Sequence, residues 1–176
     1  MAFSMRSILV PFCLAAPVML AGCASAYGPE VDVALRPTVG SEVSGNVRFF
    51  QRKDVVHVTG EVRGLKPNGE HGFHIHEKGN CTSGDGMSAG GHFNPDGGPH
   101  GRHGERPNHA GDLPSLVADA NGVARINFET RTISVQGGGA DIAGRALIVH
   151  RDPDDYKTQP TGNSGPRLAC GVIAAI

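Results

Sequence analysis

The stretch Gly72-Phe73-His74-Ile75-His76 constrains the fold more than any other part of this chain. Successive side chains of a strand point to opposite faces, so residues two apart share one face. A His-x-His on a strand therefore aims two imidazoles at one point, a rigid half-site for a metal that takes nitrogen ligands. From His92 to Asp112 the chain then supplies His92, His100, His103, His109 and Asp112 on a Gly- and Pro-rich background. Imidazoles with a carboxylate suit zinc or copper, not the oxygen-rich sets that calcium and magnesium take. The pattern predicts a metal protein whose ligands come partly from a strand and partly from a long loop.

The remainder reads as strands and turns. Residues 31–36, 43–50, 55–62 and 72–76 carry the first four predicted strands, the fourth entered through the turn signal Lys66-Pro67-Asn68-Gly69. Residues 112–119 and 123–128 are the next two, joined by the hairpin signal Asn121-Gly122. Residues 145–150 follow a loop containing Gly137-Gly138-Gly139, and residues 168–176 close the series after a loop over 152–166. No window has helical periodicity, and glycine is abundant, with 26 residues. Eight short strands predict an all-β fold, a β-sandwich or flattened barrel, with long metal-binding loops. Residues 77–112 hold no strand-like run. A structureless segment of that length is unusual in a compact domain; metal bonds and a disulfide are what would hold it in place of a core.

At 176 residues the chain has room for one domain with a real core. A net charge of −1 and a pI near 6.7 give no electrostatic case for a nucleic-acid partner. The N-terminus reads as a targeting segment. Arg6 supplies its positive region, and residues 8–20 form an apolar run too short to span a bilayer comfortably. Leu20-Ala21-Gly22-Cys23 resembles the lipobox of bacterial lipoproteins. That resemblance implies a signal peptide over 1–22, cleavage before Cys23, acylation of its thiol and a short tether over 23–30. The mature protein would be anchored to a membrane without spanning it. Ala24 after the cysteine points to the outer membrane and a location in the periplasm or cell envelope. With Cys13 removed and Cys23 acylated, Cys81 and Cys170 remain, and outside the cytoplasm such a pair is more often bonded than free.

Five blocks then occur in order: Gly72 to His76, Gly91-His92-Phe93-Asn94-Pro95, His109-Ala110-Gly111-Asp112-Leu113, Arg145 to His150, and Arg167-Leu168-Ala169-Cys170-Gly171. Together they resemble the copper/zinc superoxide dismutases over roughly residues 31–176. The resemblance implies a Greek-key barrel, one copper and one zinc per chain, and dismutation of superoxide anion by Cu(II)/Cu(I) cycling. It implies copper ligands His74, His76, His92 and His150, and zinc ligands His92, His100, His109 and Asp112. His92 would bridge the metals and act in catalysis. Asp154 corresponds to the carboxylate that links both sites, Arg167 to the arginine beside copper, and Cys81–Cys170 to the family disulfide.

His103 competes with His100, and spacing favours His100. His57 reads as a surface side chain and His71 as structural. The segment between His76 and Cys81 is shorter than in eukaryotic members, and that between Cys81 and His92 longer. The loop between His150 and Arg167 is also shorter and lacks the charges credited there with steering. These departures fit the bacterial branch, and they leave a monomer and a homodimer equally open. The alternative function is a non-enzymatic exported lipoprotein that binds copper and zinc.

Overall fold

The computed structural model describes residues 28–175 together with Met1. The predicted signal peptide, Cys13, Cys23 and most of the tether lie outside the described residues. Nine strands occur among the described residues: β1 Glu30–Pro37, β2 Ser44–Arg52, β3 Val55–Arg63, β4 Glu70–His71, β5 Phe73–His76, β6 Leu116–Val117, β7 Ala124–Thr130, β8 Ala146–His150 and β9 Arg167–Val172. The one helical element described is a 3-10 turn, Met87–Ala89.

Alternation decides the faces. Val31, Val33 and Leu35 of β1 are buried, while Asp32 faces solvent and pairs with Arg48 at 2.7 Å. Val47 and Phe49 of β2 and Val56, Val58 and Val62 of β3 face the same interior. There they meet Phe73 and Ile75 of β5 and Leu147 and Val149 of β8. Removing this apolar surface from water is the main favourable term for the barrel.

Seven strands form one curled antiparallel sheet in the order β5-β8-β9-β1-β2-β3-β7. β1 makes the curl. Its residues 30–35 pair with β2, whereas Arg36 and Pro37 pair with Cys170 and Ala169 of β9. After β3 the chain leaves for β4 and β5 on the far side and returns as β7 beside β3, the Greek-key connection. The expected Asn121-Gly122 turn is present, with Gly122 at φ +73°, a conformation that disfavours a side chain.

The predicted strand over 112–119 survives only as Leu116–Val117, paired with β4. Pro114 has no N–H to give a ladder, and Asp112 is committed to the metal loop. The predicted last strand likewise ends at Val172.

Two features prepare the site. β8 is buried on both faces, because Ala146 and Ile148 point away from the core and are covered by Cys81, Ala89 and Cys170. The loop after β5 thus straps back across the outside of the barrel. β5 is the edge strand of the sheet, and the same loop seals it: Phe93 N–H donates to Ile75 O at 2.8 Å and Ile75 N–H to Gly111 O at 2.9 Å. Covering an edge in this way also protects it from pairing with another chain.

Candidate metal centre

Because β5 alternates, Phe73 and Ile75 point into the barrel, and His74 and His76 point out under the strap. His74 pairs with Ile148 and His76 with Ala146, so both share the outer face on which β8 ends in His150. At that end the β8–β9 register shifts: Val149 pairs with Ala169 but His150 with Arg167, leaving Leu168 as an extra residue. Such a bulge re-aims the side chains around it. The lacing of the loop to β5 brings His92 beside His76 and Asp112 beside His74.

Two clusters of buried ligands result, and they share one residue. His74, His76, His92 and His150 form the first; His92, His100, His109 and Asp112 form the second. Within each, one potential ligand atom per residue lies within 4.8 Å of all the others. The fold thus brings the residues of each set together.

The hydrogen bonds fix which nitrogen of each ring is free. His76 Nδ1–H donates to Gly90 O at 2.9 Å and His150 Nδ1–H to Gly165 O at 3.1 Å, and the two Nε2 atoms face each other at 3.3 Å. His74 uses Nε2 on Asp154 Oδ2 at 2.7 Å, which leaves Nδ1 buried with no partner. His92 turns Nδ1 to Asp112 Oδ1 at 2.8 Å and leaves Nε2 buried and unpartnered. His109 Nδ1 lies 3.3 Å from the same oxygen without hydrogen-bond geometry. Buried ring nitrogens without partners are costly in a folded protein. Here they converge with a carboxylate, which is the donor set that copper and zinc accept.

Carboxylates hold the rings. Asp112 accepts from the backbone N–H groups of Gly101 and His109 through Oδ2, and its Oδ1 meets three rings. Asp154 places Oδ2 on His74 and Oδ1 on His100 at 2.9 Å, so one side chain spans both clusters. Burial alone would raise both carboxyls; the histidine hydrogen bonds outweigh it and hold each well below the usual range. Burial opposes a charge on His100, yet Asp112 and Asp154 prevail and raise it to about 9. Burial depresses His76 and His150, aided by the neighbouring imidazoles and Arg167, and brings His92 down to about 4.

Arg167 is half-buried at the start of β9, with burial lowering its pKa somewhat. Its guanidinium donates to Gly86 O at 2.7 Å and Gly90 O at 2.6 Å. The Cys81–Cys170 disulfide closes the strap three residues further along β9. A cavity of about 530 Å³ opens beside His92 and His109, walled by Glu77, Phe93, Arg145 and Thr161.

The remaining histidines stand aside. His103 gives Nδ1–H to the backbone oxygen of Asp112 and packs on Phe128. His71 is buried and donates to His150 O. His57 stacks on Phe50 at 4.6 Å and pairs with Glu129. The sequence reading missed Gln159, which binds the backbone of His100, and Arg145, which lies over Phe93 and donates to Glu77 O. Only the Arg145 block hinted at either.

The family model described as copper/zinc superoxide dismutase (SODC) matches residues 43–173. A superoxide dismutase [Cu-Zn] of Deinococcus radiodurans is 38% identical, covering 97% of this chain and 98% of its own. One of Onchocerca volvulus is 43% identical over 77% of this chain and 90% of its own. A crystal structure of a double mutant of a SOD-like protein from Bacillus subtilis superposes with TM-score 0.75 at 37% identity, covering 85% of this chain and 99% of that one. The chain belongs to the copper/zinc superoxide dismutase family. It is an oxidoreductase that dismutes superoxide with one copper and one zinc ion.

Proposed function

We propose that His74, His76, His92 and His150 hold copper, that His92, His100, His109 and Asp112 hold zinc, and that dismutation takes place at the copper side. The observation that carries this assignment is His92: one buried ring has a nitrogen in each cluster, Nδ1 beside Asp112 and Nε2 without a protein partner. Three histidines and a carboxylate make a closed tetrahedral zinc site, suited to structure. Four imidazoles suit Cu(II).

Copper bound there supplies a one-electron couple, so that two superoxide anions and two protons become dioxygen and hydrogen peroxide. The chain's own groups do the rest. Arg167 offers a guanidinium to attract and orient the anion. His92 can hold a proton at Nε2 and give it to the reduced substrate, acting as a positioned general acid. Asp154 keeps His74 and His100 in their tautomers and orientations.

The test is metal analysis and superoxide dismutation by the purified protein and His92→Ala. The variant should lose copper and zinc together, along with activity. Full occupancy of both metals in His92→Ala would overturn the shared-ligand assignment. Full occupancy without dismutation in the unaltered protein would leave a copper and zinc buffer.

The same reading takes Cys23 as the lipid attachment site of an exported protein, in the periplasm or cell envelope and tethered to the outer membrane. The lipobox-like residues 20–23 support it, and so does a disulfide, which fits an oxidising compartment. Cys23→Ser should move the protein from the membrane fraction to the soluble fraction, and unchanged membrane partitioning would refute the anchor.

A further inference from the structure

His100 belongs to a segment with almost no regular structure, flanked by Gly97, Gly98, Pro99 and Gly101. Its ring is held by Asp112 and Asp154, but a ring is only as well placed as its Cα. Among the described residues its backbone has one protein partner. Gln159 Oε1 accepts the His100 N–H at 2.8 Å, and Gln159 Nε2 donates to the His100 carbonyl at 2.9 Å. A single side-chain amide thus does for His100 what a neighbouring strand does for a residue in a sheet.

Gln159 is itself well presented. Residues 155–162 fold into a closed turn: Asp155 Oδ1 accepts from Lys157 and Thr158 N–H, Gly162 N–H donates to Thr158 O, and Asp155 N–H to Gly162 O. None of these four bonds involves the Gln159 side chain, whose amide adds one more within the turn, Nε2 donating to Lys157 O at 3.3 Å. The residue is exposed, and its amide head bonds only backbone groups, those of His100 and Lys157.

We propose that Gln159 is a positioning residue for the zinc site, clamping the backbone of His100 so that its Nδ1 stays aimed at the metal. The inference rests on reading His100 as a zinc ligand. Loss of the clamp lets the Gly/Pro-rich backbone carry the ring away and opens a route for zinc to leave. Two hydrogen bonds of ordinary strength correspond to a change of about tenfold or somewhat more in zinc retention.

The experiment compares the unaltered protein with Gln159→Leu, Gln159→Glu, Lys157→Ala and His100→Ala. It measures release of zinc into a chromophoric chelator, the visible spectrum of Co(II) loaded in place of zinc, copper content, and the thermal midpoint after metal removal. Gln159→Leu should release zinc about tenfold faster with an altered Co(II) spectrum, at unchanged copper content and unchanged metal-free midpoint. Gln159→Glu keeps the acceptor for the His100 N–H and should fall between. Lys157→Ala, in the same turn, should match the unaltered protein. Zinc release and a Co(II) spectrum indifferent to Gln159→Leu would overturn the proposal. So would faster release accompanied by an equal fall in the metal-free midpoint, which would mark Gln159 as merely structural. If His100→Ala bound Co(II) with the native spectrum, the ligand assignment itself would be wrong, a different failure from that of the clamp.

Discussion

Arg167 Nη2 lies 2.6 Å from the carbonyl oxygen of Gly90, and that oxygen also accepts the Nδ1–H of His76. One backbone carbonyl therefore ties the guanidinium that we propose attracts the anion to a histidine that we propose binds copper. Lysine at position 167 keeps the charge but lacks the rigid planar fork that reaches the Gly86 and Gly90 carbonyls with separate nitrogens. Arg167→Lys should lower kcat/KM for superoxide about tenfold with both metals retained, and Arg167→Ala should lower it further. Steady-state dismutation at constant ionic strength, beside metal analysis, checks this; wild-type kcat/KM in Arg167→Ala would remove Arg167 from the substrate path.

Gly162 makes the carboxylate link possible. It sits at φ +65°, and a Cβ there would overlap the Asp154 carboxylate and the His100 ring nitrogen. Gly162→Ala should displace Asp154 from both rings, with a loss of roughly 10–100-fold in metal affinity, the usual range for a partner of ligating histidines. Chelator competition measures it. Gly139→Ala, where a Cβ meets nothing, should leave both metals in place.

Stripped of metal, the protein should be most stable near pH 6.5. His76, His92 and His150 lie below the ordinary value of about 6.5, so their contribution is present above that pH and lost as pH falls, through about 4 for His92. His100 lies above it: its contribution is complete below about 6.5 and lost as pH rises through about 9. Asp112 and Asp154, both depressed, add a loss at still lower pH. Urea midpoints at pH 4.5, 6.5 and 9 should therefore rise and then fall. A midpoint that climbs steadily to pH 9 would contradict the carboxylate hold on His100.

The Cys81–Cys170 bridge joins residues 89 apart. The chain-entropy estimate for a loop of that length is about 4–5 kcal/mol. Replacing both cysteines by serine should cost about that much in urea unfolding. It should also slow dismutation, because Cys81 and Ala89 pack the strap that places Gly86 and Gly90 under Arg167.

Side-chain pattern carried the readable part of this protein. Val31, Val33 and Leu35 announce a half-buried strand, and His74 and His76 announce a shared face, because both follow from the two-residue period. The concentration of candidate ligands was legible because chemistry restricts which residues can bind metal, while their division into two sets came from the family resemblance. The stretch over 112–119 misled for the opposite reason: its apolar residues suit a strand, but Pro114 and the buried Asp112 prevent a ladder. Gly90 and Gln159 left no mark at all. A carbonyl oxygen is common to every residue, and a glutamine bonded to a backbone looks like any surface glutamine until the fold brings it to its partner.

The order of the ligands along the chain has a consequence for how the centre is assembled. The four residues assigned here to zinc lie between His92 and Asp112, whereas the set assigned to copper is incomplete until His150, and the groups that hold His100 in place come only with Asp154 and Gln159. A polypeptide emerging N-terminus first thus contains all four proposed zinc ligands while more than a third of the domain has still to appear. The supports of His100 thus arrive only after the last of the copper-side histidines, so both clusters reach their final shape together.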